Sequence, residues 1–237
     1  MSGAEFDRHA ATYDGGLDNP VKRMMGDSAD QFIAVKARWL LRRERGLADG
    51  TLKLLDYGCG AGDLMRVLAD LGARADFAGC DVSQGMLAEV VKRWPTRHGS
   101  PPFLSVQHGS RTAFADGQFD VATISAVLHH VPVVERPVVY AELARVLKPG
   151  GRLYVFEHNP RNPLVRYVIA RTPIDANAIL LDAREVRAGL RSSARYNLDT
   201  DYLMFMPPGI AFLRSVDRAL AWLPLGAQYA VAAVKSG

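Results

Sequence analysis

The chain is poor in cysteine, has no long apolar run and carries no concentrated block of one charge. Two cysteines in 237 residues cannot staple a disulfide framework, so Cys59 and Cys80 read as small core residues of a protein kept in a reducing, cytoplasmic setting. No stretch is long and apolar enough for a membrane-spanning helix, and no charged-then-apolar leader precedes a small-residue cleavage site. The formal charge of +4 is spread along the sequence, and there is neither an RNA-stacking aromatic motif nor a zinc-ligand spacing. Nucleic acid is therefore not expected as a partner, and no metal is expected.

What is present is enough apolar sequence, 49% of residues, to bury one substantial core. Between Leu52 and Leu153 short apolar runs alternate with amphipathic segments, the pattern of a parallel sheet wound with helices on both faces. Strands are expected at Leu52 to Tyr57, Phe77 to Asp81, Phe103 to Gln107, Phe119 to Ser125 and Arg152 to Glu157. Helices are expected at Asp63 to Leu71, Gln84 to Arg93 and Arg136 to Leu147, the last closed by Lys148-Pro149-Gly150-Gly151.

One domain is expected over 1–237. Residues 1–49 would form a helical lid, 50–158 a cofactor-binding core, 159–195 an Arg-rich insert capping the substrate, and 196–237 the completion of the sheet. That last part would hold a strand around Asp199 to Met206, an apolar helix from Ile210 to Trp222 read as core, and a strand from Gln228 to Val234.

Gly58, Gly60 and Gly62 lie between an expected strand and helix, where residues without a Cβ let the backbone approach a ligand closely. A dinucleotide fingerprint places its third glycine three positions after the second, whereas this spacing is Gly-x-Gly-x-Gly with Asp56 two positions before the first. The spacing favours S-adenosyl-L-methionine (SAM) over NAD. SAM has no pyrophosphate for a helix N-terminus, but its ammonium and sulfonium suit a nearby carboxylate, for which Asp56 is placed. Asp81 ends the second strand, where a carboxylate can accept both ribose hydroxyls.

Leu54-Leu55-Asp56-Tyr57-Gly58-Cys59-Gly60-Ala61-Gly62, Asp81-Val82-Ser83-Gln84-Gly85-Met86, Asp116-Gly117-Gln118-Phe119-Asp120, Val127-Leu128-His129-His130 and Leu147-Lys148-Pro149-Gly150-Gly151 resemble the class I SAM-dependent methyltransferases of ubiquinone-biosynthesis type, and Phe6 to Asp14 resembles their N-terminal segment. The resemblance implies a Rossmann-like, doubly wound α/β fold: a seven-stranded sheet with an antiparallel last strand in a three-layer sandwich. It implies that Asp56, Gly58 and Gly60 contact the methionine part of SAM, Asp81 the ribose, Val82 and Met86 the adenine faces, and that Ser125 and Ala126 lie beside the methionine moiety. Tyr13 would close over the cofactor or the acceptor. The family's acidic residue after the third strand is missing here, and His108 or Ser110 takes its place.

Methyl transfer from a sulfonium mainly needs alignment and exclusion of water. A hydroxyl acceptor also benefits from a general base. His129 and His130 follow the fourth strand and His158 the fifth, all at the carboxyl edge where ligands of such folds sit. For His129 and His130, capping a strand or bonding the backbone competes with catalysis. His158 is the stronger candidate, beside Glu157 and Asn159. The expected acceptor is a small molecule, with the Arg-rich insert suited to an anionic or lipid-linked one, and the enzyme a monomer or homodimer. An NAD oxidoreductase is disfavoured by the glycine spacing. A non-catalytic SAM-binding protein is the alternative. A methyltransferase acting on RNA or protein is a subordinate alternative; Ser125-Ala126-Val127-Leu128 lacks the Asn/Asp-Pro-Pro-aromatic motif, which disfavours adenine or exocyclic amine methylation.

Overall fold

The computed structural model describes residues 7, 29–172, 175, 177–207 and 213–236. Seven strands form one sheet: β1 (Lys53–Tyr57), β2 (Asp76–Asp81), β3 (Phe103–Val106), β4 (Phe119–Ser125), β5 (Leu147–His158), β6 (Tyr196–Leu203) and β7 (Gln228–Lys235). Their order is β3-β2-β1-β4-β5-β7-β6. The first five run parallel, and β7 lies antiparallel between β5 and β6.

Period-2 alternation sends adjacent residues of each strand to opposite faces, and two separate cores result. On one face Leu54, Val121, Tyr154, Phe156 and Ala230 pack under helices α1 (Ala29–Arg43), α2 (Asp63–Asp70) and α3 (Gln84–Arg93). On the other Leu55, Ala122, Leu153, Val155 and Val231 pack under α4 (Arg136–Val146) and α6 (Ala183–Ser193). The three-layer sandwich is the expected one.

Local chemistry sets the helix starts. Ser83 Oγ accepts from Met86 N at 3.0 Å, a cap worth about 1 kcal/mol that aims the first turn of α3 at the end of β2. Asn162 caps α5 (Pro163–Ile169), with Pro163 in the first turn, and Asp182 with Glu185 forms a capping box on α6. The stretch 159–195 thus divides: α5 lies over the carboxyl edge of the sheet, whereas α6 is an ordinary outer-layer helix buried against α4 and β7.

Three elements differ from expectation by more than one residue. β5 begins at Leu147, because Phe119 still pairs with Leu147 and the register then shifts to Val121–Arg152, so the Pro149 and glycine stretch is a bulge within the strand. β6 ends at Leu203, because Met204 turns to φ 62°, and Phe205 N and Met206 N donate to Asp217 Oδ1. The helix expected from Ile210 to Trp222 is described only as α7 (Arg214–Ala219), which buries no residue, and Trp222 is 73% exposed. The core assignment made for this segment is corrected accordingly; Ile210 and Phe212 lie outside the described residues.

Candidate active site

Four strand ends at the carboxyl edge converge on a cavity of about 460 Å³. One end of it is built mainly of backbone. Gly58 N and Cys59 N donate to Cys80 O at 2.8 and 2.9 Å, which clamps the turn after β1 onto β2. Gly58 and Gly60 have φ of 69° and 51°. A Cβ on Gly58 would come within 2.6 Å of Val127, so glycine is needed there for packing; a Cβ on Gly60 would meet nothing within 4 Å. Gly60 therefore presents bare backbone to the cavity, the feature a closely approaching ligand requires.

Asp81 is fixed by the same turn, its Oδ2 accepting from Gly60 N and its Oδ1 from Ser83 N, both at 2.9 Å. Burial raises its pKa, while these N–H bonds favour the charged form. Asp56 is deeper: burial pushes it up to about 7, against the opposing pull of the Thr123 hydroxyl at 2.7 Å and of Lys36. Lys36 comes from α1 and donates to Ser125 Oγ at 2.9 Å. Val82, Met86, Gln107, Gly109 and Ser110 line the adjoining wall, and the Tyr57 hydroxyl donates to Ser110 O at 2.8 Å.

The other end is built of side chains. Ala126, with φ 58°, turns the chain out of β4 into a short helical turn, Leu128–His130. Glu157, buried at the end of β5, accepts from Val127 N and Leu128 N at 3.0 and 2.7 Å through Oε1. Its Oε2 faces His129 Nδ1 at 2.6 Å; a carboxylate can only accept there, so that nitrogen carries the proton. His129 Nε2 and His130 Nε2 each lie 3.5 Å from Asp175 Oδ1. His158 completes the cluster, its ring 5.2 Å from that of His129. Burial opposes charge on His129, but Glu157 and Asp175 outweigh it and hold the imidazolium. Burial and that neighbouring charge keep His130 and His158 neutral, lowering them to about 4 and about 3. Around this polar pole the cavity is apolar, with Phe32 and Ile33 from α1 and Leu164, Val165, Val168 and Ile169 from α5.

Residues 55–155 match the family model described as a methyltransferase domain. The chain is 30% identical over 201 residues to the demethylmenaquinone methyltransferase of a Parafrankia species, covering 76% of this chain and 78% of that one. The chain belongs to the class I SAM-dependent methyltransferases. It is also 34% identical over 162 residues to the ubiquinone/menaquinone biosynthesis C-methyltransferase UbiE of Syntrophotalea carbinolica, covering 68% of this chain and 62% of that relative's length. In fold it is similar to the magnesium protoporphyrin IX methyltransferase of Synechocystis PCC 6803 with bound SAH, at a TM-score of 0.60 and 19% identity, covering 87% of this chain and 83% of that one.

The cofactor of this methyltransferase is SAM. Of the residues expected to touch it, Asp56, Gly58, Gly60, Asp81, Val82, Met86, Ser110 and Ser125 all line the cavity, as do the candidate catalytic residues His129, His130 and His158. Gly62 does not: it starts α2 at φ 77°, and a Cβ there would meet Val90 at 2.8 Å, so its role is close packing of α2 against α3. His108 is exposed and outside the cavity wall, and Tyr13 lies outside the described residues. The polar group imagined around His158 is used elsewhere. Glu157 serves His129, and Asn159 Nδ2 donates to Pro224 O and Gly226 O. His129 turns out to bond a carboxylate where a strand cap or backbone bond was weighed.

Four residues were missed. Gln107, 6% exposed, is a buried polar side chain in the wall that Val82 and Met86 share, and Asp175 closes the histidine cluster. Lys36 carried a readable signal, a cation within the apolar stripe of Phe32, Trp39 and Leu40. Asp7 accepts from Ser83 Oγ and Gly85 N at the start of α3.

Proposed function

We propose that this methyltransferase transfers the methyl group of SAM to a carbon of an electron-rich, hydroxylated ring of quinol type that carries an apolar tail. The observation that carries this reading is the two-part lining of one cavity: a carboxylate-and-glycine end, then a histidine and aspartate pole inside apolar walls. The relatives named as ubiquinone and menaquinone C-methyltransferases support the acceptor class.

SAM, when bound, supplies an electrophilic methyl carbon on a sulfonium. Asp81 would take the ribose hydroxyls, Asp56 the amino group and Lys36 the carboxylate, each by charge-assisted contact. Val82 and Met86 flank the adenine, with Gln107 and Ser110 standing where the family's acidic residue is absent. At the other end the walls of α1 and α5 exclude water and hold the ring. As the ring carbon beside the hydroxyl attacks the methyl group, the hydroxyl proton becomes strongly acidic, and His158, a neutral imidazole, takes it at that point. The methylated carbon then loses its own proton to restore the aromatic ring.

The acceptor is lipid-linked in this reading, and the enzyme works in the cytoplasm as a monomer or homodimer. The free thiols of Cys59 and Cys80 suit a reducing compartment. Among the described residues no helix is long and apolar enough to cross a membrane. The test is turnover: purified protein with SAM and a reduced naphthoquinone bearing a short prenyl tail, followed by mass spectrometry of S-adenosylhomocysteine and of the ring. A ring-methylated product supports the assignment. Methylation of small polar acceptors with none of the quinol would overturn it.

A further inference from the structure

We infer that His129, His130 and Asp175 bind one divalent transition-metal ion, with zinc the best chemical match, at the acceptor end of the cavity. The three offer two imidazole nitrogens and one carboxylate oxygen, and these ligand atoms all lie within 4.8 Å of one another. Zinc bonds nitrogen and oxygen at about 2.0 to 2.1 Å, so neighbouring donors on a tetrahedral ion stand about 3.3 Å apart. The two separations to Asp175 Oδ1, from His129 Nε2 and from His130 Nε2, are both 3.5 Å. The side chains already stand near the spacing of a coordination shell.

The surroundings fit the same ion. Glu157 holds His129 through Nδ1, so the ion would displace the Nε2 proton of the imidazolium and take that nitrogen as its ligand atom; a carboxylate behind a ligating histidine is the usual outer-shell partner of a metal. Glu157 is in turn fixed by Val127 N and Leu128 N, so the orientation of His129 is set by backbone. Asp175 and Glu157 bring two negative charges into a cluster of imidazoles that is 1% to 12% exposed at its side chains, and a dication matches them. All three ligands line the cavity, so an ion held by them would be reached from it. An ion there would polarise an acceptor hydroxyl as a Lewis acid and leave His158 free to take the proton.

The expectation of no metal rested on the lack of a zinc-ligand spacing. Two adjacent histidines on a turn and an aspartate on a distant segment form no such spacing, yet the fold brings them together.

The test measures binding and not turnover, so it is independent of the acceptor assignment. Full-length protein, treated with chelator and dialysed, is titrated with Zn²⁺ by calorimetry, and with Co²⁺ while the visible ligand-field bands of a tetrahedral nitrogen and oxygen site are followed. One equivalent is expected. His130→Ala and Asp175→Ala should each weaken binding by tenfold or more, with circular dichroism and SAM affinity retained. His98→Ala, which removes an outlying histidine paired with Asp70, should change nothing. Absence of saturable binding, or binding lost only with His98→Ala, would overturn the proposal. Should either cluster variant misfold, the cobalt spectrum of the wild type decides: octahedral, weakly absorbing cobalt counts against the site.

Discussion

At the glycine-turn end of the cavity most contacts are offered by backbone and by carboxylates at the ends of β1 and β2, with Lys36 and Gln107 added from other elements. At the histidine end the polar side chains come from three separated stretches, 129–130, 157–158 and 175. The first arrangement positions a ligand without relying on side-chain rotamers, since Asp81 is anchored by Gly60 N and Ser83 N. The second depends on a chain of support running from Val127 N and Leu128 N through Glu157 to His129 and then Asp175. A constant ligand suits the first and a variable one the second. Changes at one end should therefore leave the function of the other intact.

The largest test of that separation is Asp81→Ala. Losing a carboxylate that would accept both ribose hydroxyls should weaken SAM by about 100-fold or more in calorimetry, at about 1.5 to 3 kcal/mol per charge-assisted bond. Acceptor binding should stay unchanged; joint loss of both would break the comparison. His158→Ala sharpens it from the other side: kcat should fall by about tenfold to 100-fold with SAM affinity preserved. Unchanged turnover would remove His158 from the chemistry.

Asp56 gives a pH test. Its folded pKa, about 7, lies above the ordinary 3.8, so the ligand-free fold binds the extra proton between those values. Stability from that proton is present below the unfolded value and is lost as pH rises through about 7. SAM needs the carboxylate, so its affinity should fall as pH drops below 7, by up to about tenfold per unit. Asp56→Asn should flatten that profile, raise the Tm of the free protein at pH 8 and weaken SAM throughout. The smallest effect is expected for Val168→Ala in the wall of α5: a few-fold higher KM for the apolar acceptor and no change in SAM affinity, measured by initial rates.

This contrast also explains what could be read beforehand. Gln84–Arg93 and Phe119–Ser125 have the boundaries expected from pattern alone, because capping by Ser83 and an apolar run closed by Ser125 are local signals. The glycine turn and Asp81 are likewise contiguous features of one strand-turn-helix-strand unit. Asp175 has no local pattern at all, and Gln107 looked like the tail of a strand. The Lys148 to Gly151 stretch read as a helix stop because proline and glycine interrupt periodicity, yet pairing with β4 carries the strand through it. Gly62 shows the reverse case: the motif was visible, but whether a glycine serves a ligand or a neighbouring helix depends on Val90, which lies elsewhere in the chain.

Cys59 sets a limit on chemical damage. Quinols oxidise to quinones, electrophiles that arylate thiolates, and Cys59 lines the same cavity. Burial, then the charges of Asp56 and Asp81, push its pKa well above the ordinary value, so it persists as the neutral and poorly nucleophilic thiol. With the proposed quinol as acceptor, the carboxylates suited to the cationic groups of SAM would also shield the Cys59 thiol from alkylation by its oxidised form.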